Sequence, residues 1–360
     1  MSLLDDTLMY ARFGFGAHRF LRQKLTLHEA RASLVEHLRQ REKNFLRVLK
    51  KGVFEYPDSP YIPLLRMAGC EYGDIEKMVF GDGLQAALRT IREAGVYVTF
   101  EEFKGREAIR RGSQEFTLGP KGFDNPWLKS CYVGETGGST GAGTRVAHDL
   151  DALSAKLPMQ MVTQHNMGVL DTPRAIWRAP LPSAIGLNNM MAAGVMGNVP
   201  RKWFAPLLGD DLKQPLKYRL ATAYILNAVR LHGVAAPSPE KVPLNRADII
   251  VRWIQDTLES EGAAHVAGGV SLSLRIADAA REMGVSLEGA VLSGGGEPPT
   301  PTKVNAITAT GARFFSSYHF TEGGAVGLPC ANPVDCNDHH FMAHHLELLQ
   351  FPRQVPGMDM

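Results

Sequence analysis

Between residues 159 and 300 short apolar runs alternate with longer amphipathic stretches, and this alternation restricts the fold more than any other property of the chain. MQMVTQ, RAIWRA, DIIVRW and GAVLS are short enough to be strands or strand ends. YRLATAYILNAVRLHG and SLSLRIADAAREMG carry apolar residues at helical spacing. Strands separated by helices bury a sheet between helical layers, so the expected fold class is α/β. The proline-rich VAAPSPEKVPLN reads as a surface loop inside this region and not as a domain boundary. No internal repeat or low-complexity tract is visible.

The first part of the chain reads differently. Thr26 followed by Glu29 has capping-box spacing, and Leu27, Leu34, Leu38, Phe45 and Leu49 then form one stripe, which predicts a single long helix from about 27 to 50. YPDSPYIPLLRMAG predicts a turn into a short helix, LQAALRTIREAG a helix ending at Gly95, and VYVTF a strand. A polar run from about Ala147 to Leu157 reads as helical. The expected organisation is a mainly helical segment over 1–110, an α/β core over 111–350 and a tail over 351–360. The N-terminal MSLLDDTLMYARFGFGAHRFLRQKL is interrupted by Asp5, Asp6, Arg12 and Arg19, too early for a signal peptide or a spanning helix. It forms either a helix packed on the body of the protein or an amphipathic surface anchor.

Composition excludes some function classes. With 44% apolar and 21% charged residues the chain is globular, and 39 basic against 37 acidic residues leave a formal charge of +2. Nothing in that balance attracts nucleic acid or an anionic membrane, so a small-molecule partner is expected. Cys70, Cys131, Cys330 and Cys336 are too few and too scattered for a disulfide framework. A reducing compartment, the cytoplasm, is the expected location.

Three local motifs carry chemistry. Glu135-Thr136-Gly137-Gly138-Ser139-Thr140-Gly141-Ala142-Gly143-Thr144-Arg145 follows an apolar stretch and precedes a helix-like run. Small residues let backbone amides approach an anion, and the hydroxyls add donors, so the loop suits phosphates. It is neither a Walker loop nor a dinucleotide fingerprint, and a flexible connector is the alternative. Ser293-Gly294-Gly295-Gly296-Glu297-Pro298 follows the apolar GAVL, and Tyr318-His319-Phe320-Thr321-Glu322-Gly323-Gly324 comes later. Glycines at a strand end make a flat shelf for a planar base, and a threonine with a glutamate can hold a phosphate and its Mg²⁺. Taken singly, the second is a turn and the third a helix cap as readily as a site.

In this order and separation the three motifs resemble those of the adenylate-forming superfamily, the acyl- and aryl-CoA ligases, nonribosomal adenylation domains and luciferases. The nearest likeness within it is to phenylacetate-CoA ligases and the acyl-protein synthetases of luciferase systems, through SPYIPLLRMAGCEYGDIEKM and the Gly-Gly-Ser-Thr-Gly form of the loop. The likeness runs, with gaps, from about residue 58 to 349. It implies the layered N-terminal core of an adenylate-forming enzyme, with nucleotide and acyl sites in the 111–350 region. Thr136, Ser139, Thr140 and Gly141 would meet the phosphates of ATP, and Gly295, Gly296, Glu297 and Pro298 would line the adenine. Tyr318 would stack on it beside His319, Thr321 would hold the α-phosphate, and Glu322 would ligate Mg²⁺. The loop's usual lysine is replaced by Thr144 and Arg145, and the third motif's usual glycine by His319. The ribose-binding aspartate and the catalytic lysine of a C-terminal lid have no counterpart, since Lys303 is the last lysine. The chain is therefore expected to be either the N-terminal core of a longer protein or a naturally lidless relative.

Two further sets of residues are candidates. Cys330, Cys336, His339 and His340, with His344 and His345 nearby, could hold Zn²⁺, or else His340 fills a hydrogen-bonded core position. Gly186, Asn188, His265 and Gly268 lie in the stretches where the family has its acyl pocket, with helix-end packing as the alternative. Trp177 and Trp203 are expected in the core. The expected function is ATP-dependent activation of a small carboxylic acid as an acyl-adenylate, for transfer to coenzyme A or a carrier protein. A non-catalytic nucleotide-binding module and a zinc-stabilised interaction protein are the alternatives, and a homodimer stays open.

Overall fold

The computed structural model describes residues 3–119, 122–129, 131–135, 145–207, 215–320 and 323–352. The chain divides into two compact units, residues 1–34 with 129–342 and residues 35–128 with 343–360. This division differs from the expected break near residue 110.

Helix α1 (Leu3–Arg22) buries Phe13, Ala17, Phe20 and Leu21 at helical spacing in the core of the larger unit. The N-terminal segment is thus a packed helix. α2 (Leu27–Arg39) starts at the expected capping box, in which the Thr26 N–H donates to Glu29 Oε2 at 2.9 Å and the Glu29 N–H to Thr26 Oγ1 at 3.2 Å. The predicted single helix to residue 50 breaks at Gln40, and α3 (Arg41–Leu49) follows, ending in a π-turn over Lys50–Phe54. The stripe serves two cores, because Leu27 packs against the larger unit's core and Phe45 and Leu49 against the other.

The smaller unit continues with α4 (Tyr61–Met67), α5 (Tyr72–Asp82), α6 (Leu84–Glu93), α7 (Phe100–Phe103) and the antiparallel pair β1 (Ile109–Arg111) and β2 (Gln114–Phe116). Gly95 ends α6 at φ 95°, as its position predicts. VYVTF is not a strand: Thr99 caps α7 by accepting from the Glu102 N–H at 3.2 Å. Leu64, Leu65, Ile75, Val79 and Ile109 form this unit's core.

The larger unit adds the antiparallel pair β3 (Tyr132–Glu135) and β4 (Arg145–His148), then α8 (Leu150–Ser154), α9 (Leu157–Asn166), β5 (Arg174–Trp177), α10 (Ile185–Met196) and β6 (Lys202–Leu207). It continues with α11 (Leu216–Leu231), β7 (Pro239–Pro243), α12 (Asp248–Glu261), β8 (Ala264–Gly269), α13 (Val270–Glu282) and β9 (Ala290–Gly295). α14 (Pro301–Thr308), β10 (Arg313–Phe320), β11 (Gly324–Pro329) and β12 (His339–Phe341) complete it. Eight strands form one sheet in the order β12-β11-β10-β9-β8-β5-β6-β7. From β10 to β7 all pairs are parallel, and β11 and β12 join antiparallel. Helices α1 and α8 to α11 cover one face and α12 to α14 the other, with core residues on both. The protein is therefore α/β, as the alternation predicts.

Three more of the predicted elements differ. MQMVTQ lies in α9 and DIIVRW in α12, where Ile250, Val251, Ile254 and Thr257 are buried at helical spacing. Short apolar runs carry no period of their own, and residues beyond the run decide between strand and helix. The loop predicted for VAAPSPEKVPLN contains β7, whose prolines are tolerated because it is an edge strand. Trp177 and Trp203 are fully buried, as expected. Among the described residues no helix is long and apolar enough to cross a membrane.

Candidate functional site

Strand order reverses at β5: β6 and β7 extend the sheet on one side of it, and β8, β9 and β10 on the other. Open α/β sheets bind ligands outside the carboxyl ends of the strands at such a reversal. The register defines what stands there. Ile176 lies opposite Ala267, Ala267 opposite Ser293, and Ser293 opposite Phe315. Two residues further along the same face come Gly269, Gly295 and Ser317, with Gly269 opposite Gly295 and Gly295 opposite Ser317, and Arg178 is the residue that follows β5. Two adjacent glycines leave a trough with no side chain of their own, flanked by Glu297 and Leu272 at Gly269 and by Ser317 and His319 at Gly295.

The trough is open at Gly269, where an added Cβ would meet nothing nearer than 3.6 Å. Gly269 has φ −89°, which any residue adopts, so what glycine supplies there is room. It is closed at Gly295, where a Cβ would lie 2.7 Å from Ser317 Oγ and 3.3 Å from His319 Cδ2. His319 Nε2 is 2.8 Å from Ser317 Oγ, and that hydroxyl donates to Gly294 O at 3.3 Å. Arg178 is fixed through its backbone, with its N–H donating to Phe204 O at 3.0 Å and its carbonyl accepting from Trp203 Nε1 at 2.7 Å.

Stems of all three sequence motifs meet at this end of the sheet. The Glu135 N–H, at the end of β3, donates to Pro182 O at 2.8 Å in the segment that follows β5. The Glu135 carboxylate accepts from Tyr218 Oη at 2.6 Å. The loop that begins there, with Thr136, Ser139, Thr140 and Gly141, lies outside the described residues, as do Thr321 and Glu322, which follow β10 directly. Tyr318, with a 57% exposed side chain, is the residue after the one opposite Gly295. Gly296 turns the chain at φ 89°, and Pro298 is exposed. Glu297 stands at the Gly269 side of the trough, where its Oε1 would lie 3.6 Å from an added Cβ, and it accepts from the Ser271 N–H at 2.7 Å, at the start of α13, and from Lys303 Nζ at 3.2 Å. Burial raises its carboxyl pKa, but these hydrogen bonds outweigh the burial and the net shift is downward.

Two cations that the sequence reading did not single out complete the crevice. A Cβ on Gly324, the first residue of β11, would collide with Lys156 Nζ, so the ammonium lies against the strand beside His319, which pairs with Ala325. No side-chain hydrogen bond or ion pair among the described residues involves Arg178 or Lys156. Burial lowers the pKa of Lys156 and takes that of Arg178 down to about 10. His319 has an exposed edge but is crowded by protein, and desolvation, then Arg178, Lys156 and His339, push it down to about 4. Burial and then Lys156 bring His148 to about 4 as well. At neutral pH these imidazoles are uncharged, and the positive charge of the crevice rests on Arg178 and Lys156. Neither residue carries a local sequence signature: Arg178 simply follows the RAIW strand, and Lys156 precedes α9.

The predicted acyl-pocket residues are not brought together. Gly186 is buried in α10, where a Cβ would collide with the Trp203 indole. Asn188 Oδ1 accepts from the buried Tyr132 hydroxyl. His265 is 2% exposed, with Nε2 2.8 Å from Ser293 Oγ, and lies near the amino end of β8, away from the crevice. Gly268 points away from the trough toward Trp177 O.

The zinc expectation is corrected. Among the described residues no three His, Cys, Asp or Glu side chains converge as metal ligands. His339 and His340 are neighbours on β12 and so point to opposite faces. His339 Nε2 lies 3.0 Å from Ser316 Oγ, while Cys336 Sγ approaches Pro299 O at 3.6 Å. Cys330 and His340 add no third ligand.

Neither a family model nor a curated protein sequence matches the chain. Among solved structures it is similar to 2-hydroxyisobutyryl-CoA ligase in the postadenylation state with R3-HIB-AMP, at 15% identity over 82% of this chain and 49% of that one, with a TM-score of 0.43. The same ligase with 2-HIB-AMP and CoA matches at 14% identity over 86% of this chain and 55% of that one, TM-score 0.43. The adenylation domain of a keto acid-selecting nonribosomal peptide synthetase module, bound to a keto acyl adenylate, matches at 13% identity, 61% and 34% coverage and TM-score 0.32. The chain spans about half the length of the ligase structures. A likeness at this level concerns fold and assigns no residue a role.

Proposed function

We propose that the crevice at the carboxyl ends of β5, β8, β9 and β10 binds ATP, and that the chain is the nucleotide-binding core of an enzyme that activates a carboxylic acid as its acyl-adenylate. The observation that supports this most is the meeting of the three motif stems, at Glu135, Gly294–Gly296 and Tyr318–Phe320, around one glycine trough at the strand-order reversal. Adenine lies against Gly295 and Gly296 with Tyr318 beside it, and the phosphates extend toward Ser139, Thr140 and Gly141. Thr321 holds the α-phosphate. Mg²⁺, when bound at Glu322, supplies neutralisation of phosphate charge. The substrate carboxylate is already ionised at neutral pH, so its in-line attack on the α-phosphorus needs no general base, and positioning with charge stabilisation carries the rate. The adenylate then passes its acyl group to a thiol, of coenzyme A or of a carrier protein.

Calorimetric titration with ATP and Mg²⁺ tests the reading. Thr321→Ala and Glu322→Ala are each expected to weaken binding at least tenfold, and unchanged affinity in both would refute the site. Gly269→Leu provides an independent check. Its Cβ meets only ordinary contacts, so the variant folds, while the remaining side chain fills the trough and abolishes ATP binding. Gly269→Ala should bind ATP within a few-fold of the parent.

A further inference from the structure

We propose that Lys156 and Arg178 form a preformed site for a phosphate-bearing group, one cation on each side of the Gly269–Gly295 trough. The identity of the ligand as a nucleotide rests on the function proposed above, whereas the anion site rests on the geometry alone.

Four observations carry it. Gly269, Gly295 and Ser317 share one row of the sheet, and Arg178 directly follows β5 at the same end, close enough to His319 to act on it electrostatically. Lys156 lies against Gly324 next to the His319 pairing position. Both cations are half-buried, and neither has a carboxylate among the described residues. A half-buried charge is partly desolvated, and two without a carboxylate among the described residues around one opening suit an anionic ligand. The carboxylates nearest in the architecture are already engaged, Glu297 with Ser271 and Lys303, and Glu135 with Tyr218.

Charge count selects the ligand class. Two desolvated cations are poorly matched by a monocarboxylate with one negative charge. A phosphate or pyrophosphate carries about two or more at neutral pH, with several acceptor oxygens for the guanidinium fork and the ammonium. His319 and His148 stay neutral beside them, so the imidazoles offer a donor or an acceptor to the ligand without adding charge.

The test uses inorganic pyrophosphate and adenosine as separate probes, titrated calorimetrically into the full chain and into Lys156→Gln and Arg178→Gln. Lys202→Gln, an exposed lysine paired with Glu240 at the start of β6, serves as control. Each of the first two variants is expected to weaken pyrophosphate binding at least tenfold, to leave adenosine affinity unchanged, and to melt at the parent temperature or above it, since it removes a half-buried charge that has no carboxylate partner among the described residues. The control should change nothing. Pyrophosphate affinity that is unchanged in both variants, or absent in the parent, overturns the proposal. So does a lowered melting temperature in either variant, which would make the side chain structural. The two readings fail separately. Pyrophosphate binding that depends on Lys156 and Arg178 without any adenosine binding keeps the anion site and refutes the nucleotide. ATP binding that depends on Thr321 but not on the two cations does the reverse.

Discussion

Gly186→Val should destabilise the larger unit strongly while leaving any acid preference untouched. Gly186 is buried in α10, and its α-carbon faces the Trp203 indole so closely that even a Cβ would collide with the ring. Overfilling a well-packed core by a methylene costs about 1–3 kcal/mol, and valine adds a branched side chain. Against a total stability of about 5–15 kcal/mol this shifts the urea midpoint far down. The effect also reaches the site, because Trp203 Nε1 donates to the Arg178 carbonyl at 2.7 Å. A tilted indole would release the strand end that positions the guanidinium. A Gly186→Val protein with parental stability and altered acid selectivity would restore the pocket role predicted from the sequence.

Glu102→Ala should cost about 3–5 kcal/mol in the smaller unit, because it strands a buried arginine. The Glu102 and Arg111 side chains are only 6% and 11% exposed, and two hydrogen bonds of 2.8 and 2.9 Å join them. Arg111 also donates to Tyr97 O at 3.1 Å and lies 3.7 Å above the Tyr97 ring. Removing both charges together, as Glu102→Met with Arg111→Met, should cost much less than either single change, since a buried pair replaced by apolar groups is often near neutral. The pair also sets a pH dependence. Chiefly through the hydrogen bond from Arg111, the Glu102 carboxyl has its pKa lowered from 4.5. A carboxylate whose folded pKa is depressed stabilises fully above its unfolded value, and that stability is lost as pH falls through the folded value. Acid melts of the parent should therefore lose stability below about pH 4.5 with a component absent from Glu102→Ala. Hydrogen exchange over residues 97–116 localises both effects.

Much of the α/β layering was legible. The helices α11 and α13 and the strands β5 and β9 stand where periodicity and apolar runs put them, because each buries a face whose spacing is written in neighbouring residues. MQMVTQ and DIIVRW were misread for the same reason in reverse: six residues contain too little period to separate a strand from part of a helix. The Gly294–Gly296 shelf and the stems at Glu135 and Tyr318 were legible as motifs. Lys156 and Arg178 were not, since a single lysine or arginine has no local signature, and only the lack of a carboxylate partner among the described residues makes it unusual.

Local chemistry, then, was determined by the sequence alone: which segments are helical, where chains turn, and which short stretches suit a phosphate or a planar base. Tertiary structure decided which of these meet. Register set Gly269 rather than Gly268 in the trough, since one residue along a strand reverses the face. Packing turned Gly186 and Asn188 into core contacts, and strand pairing kept His339 and His340 apart. It also left Lys156 and Arg178 half-buried with no counter-charge among the described residues, because burial and pairing depend on residues distant in the chain.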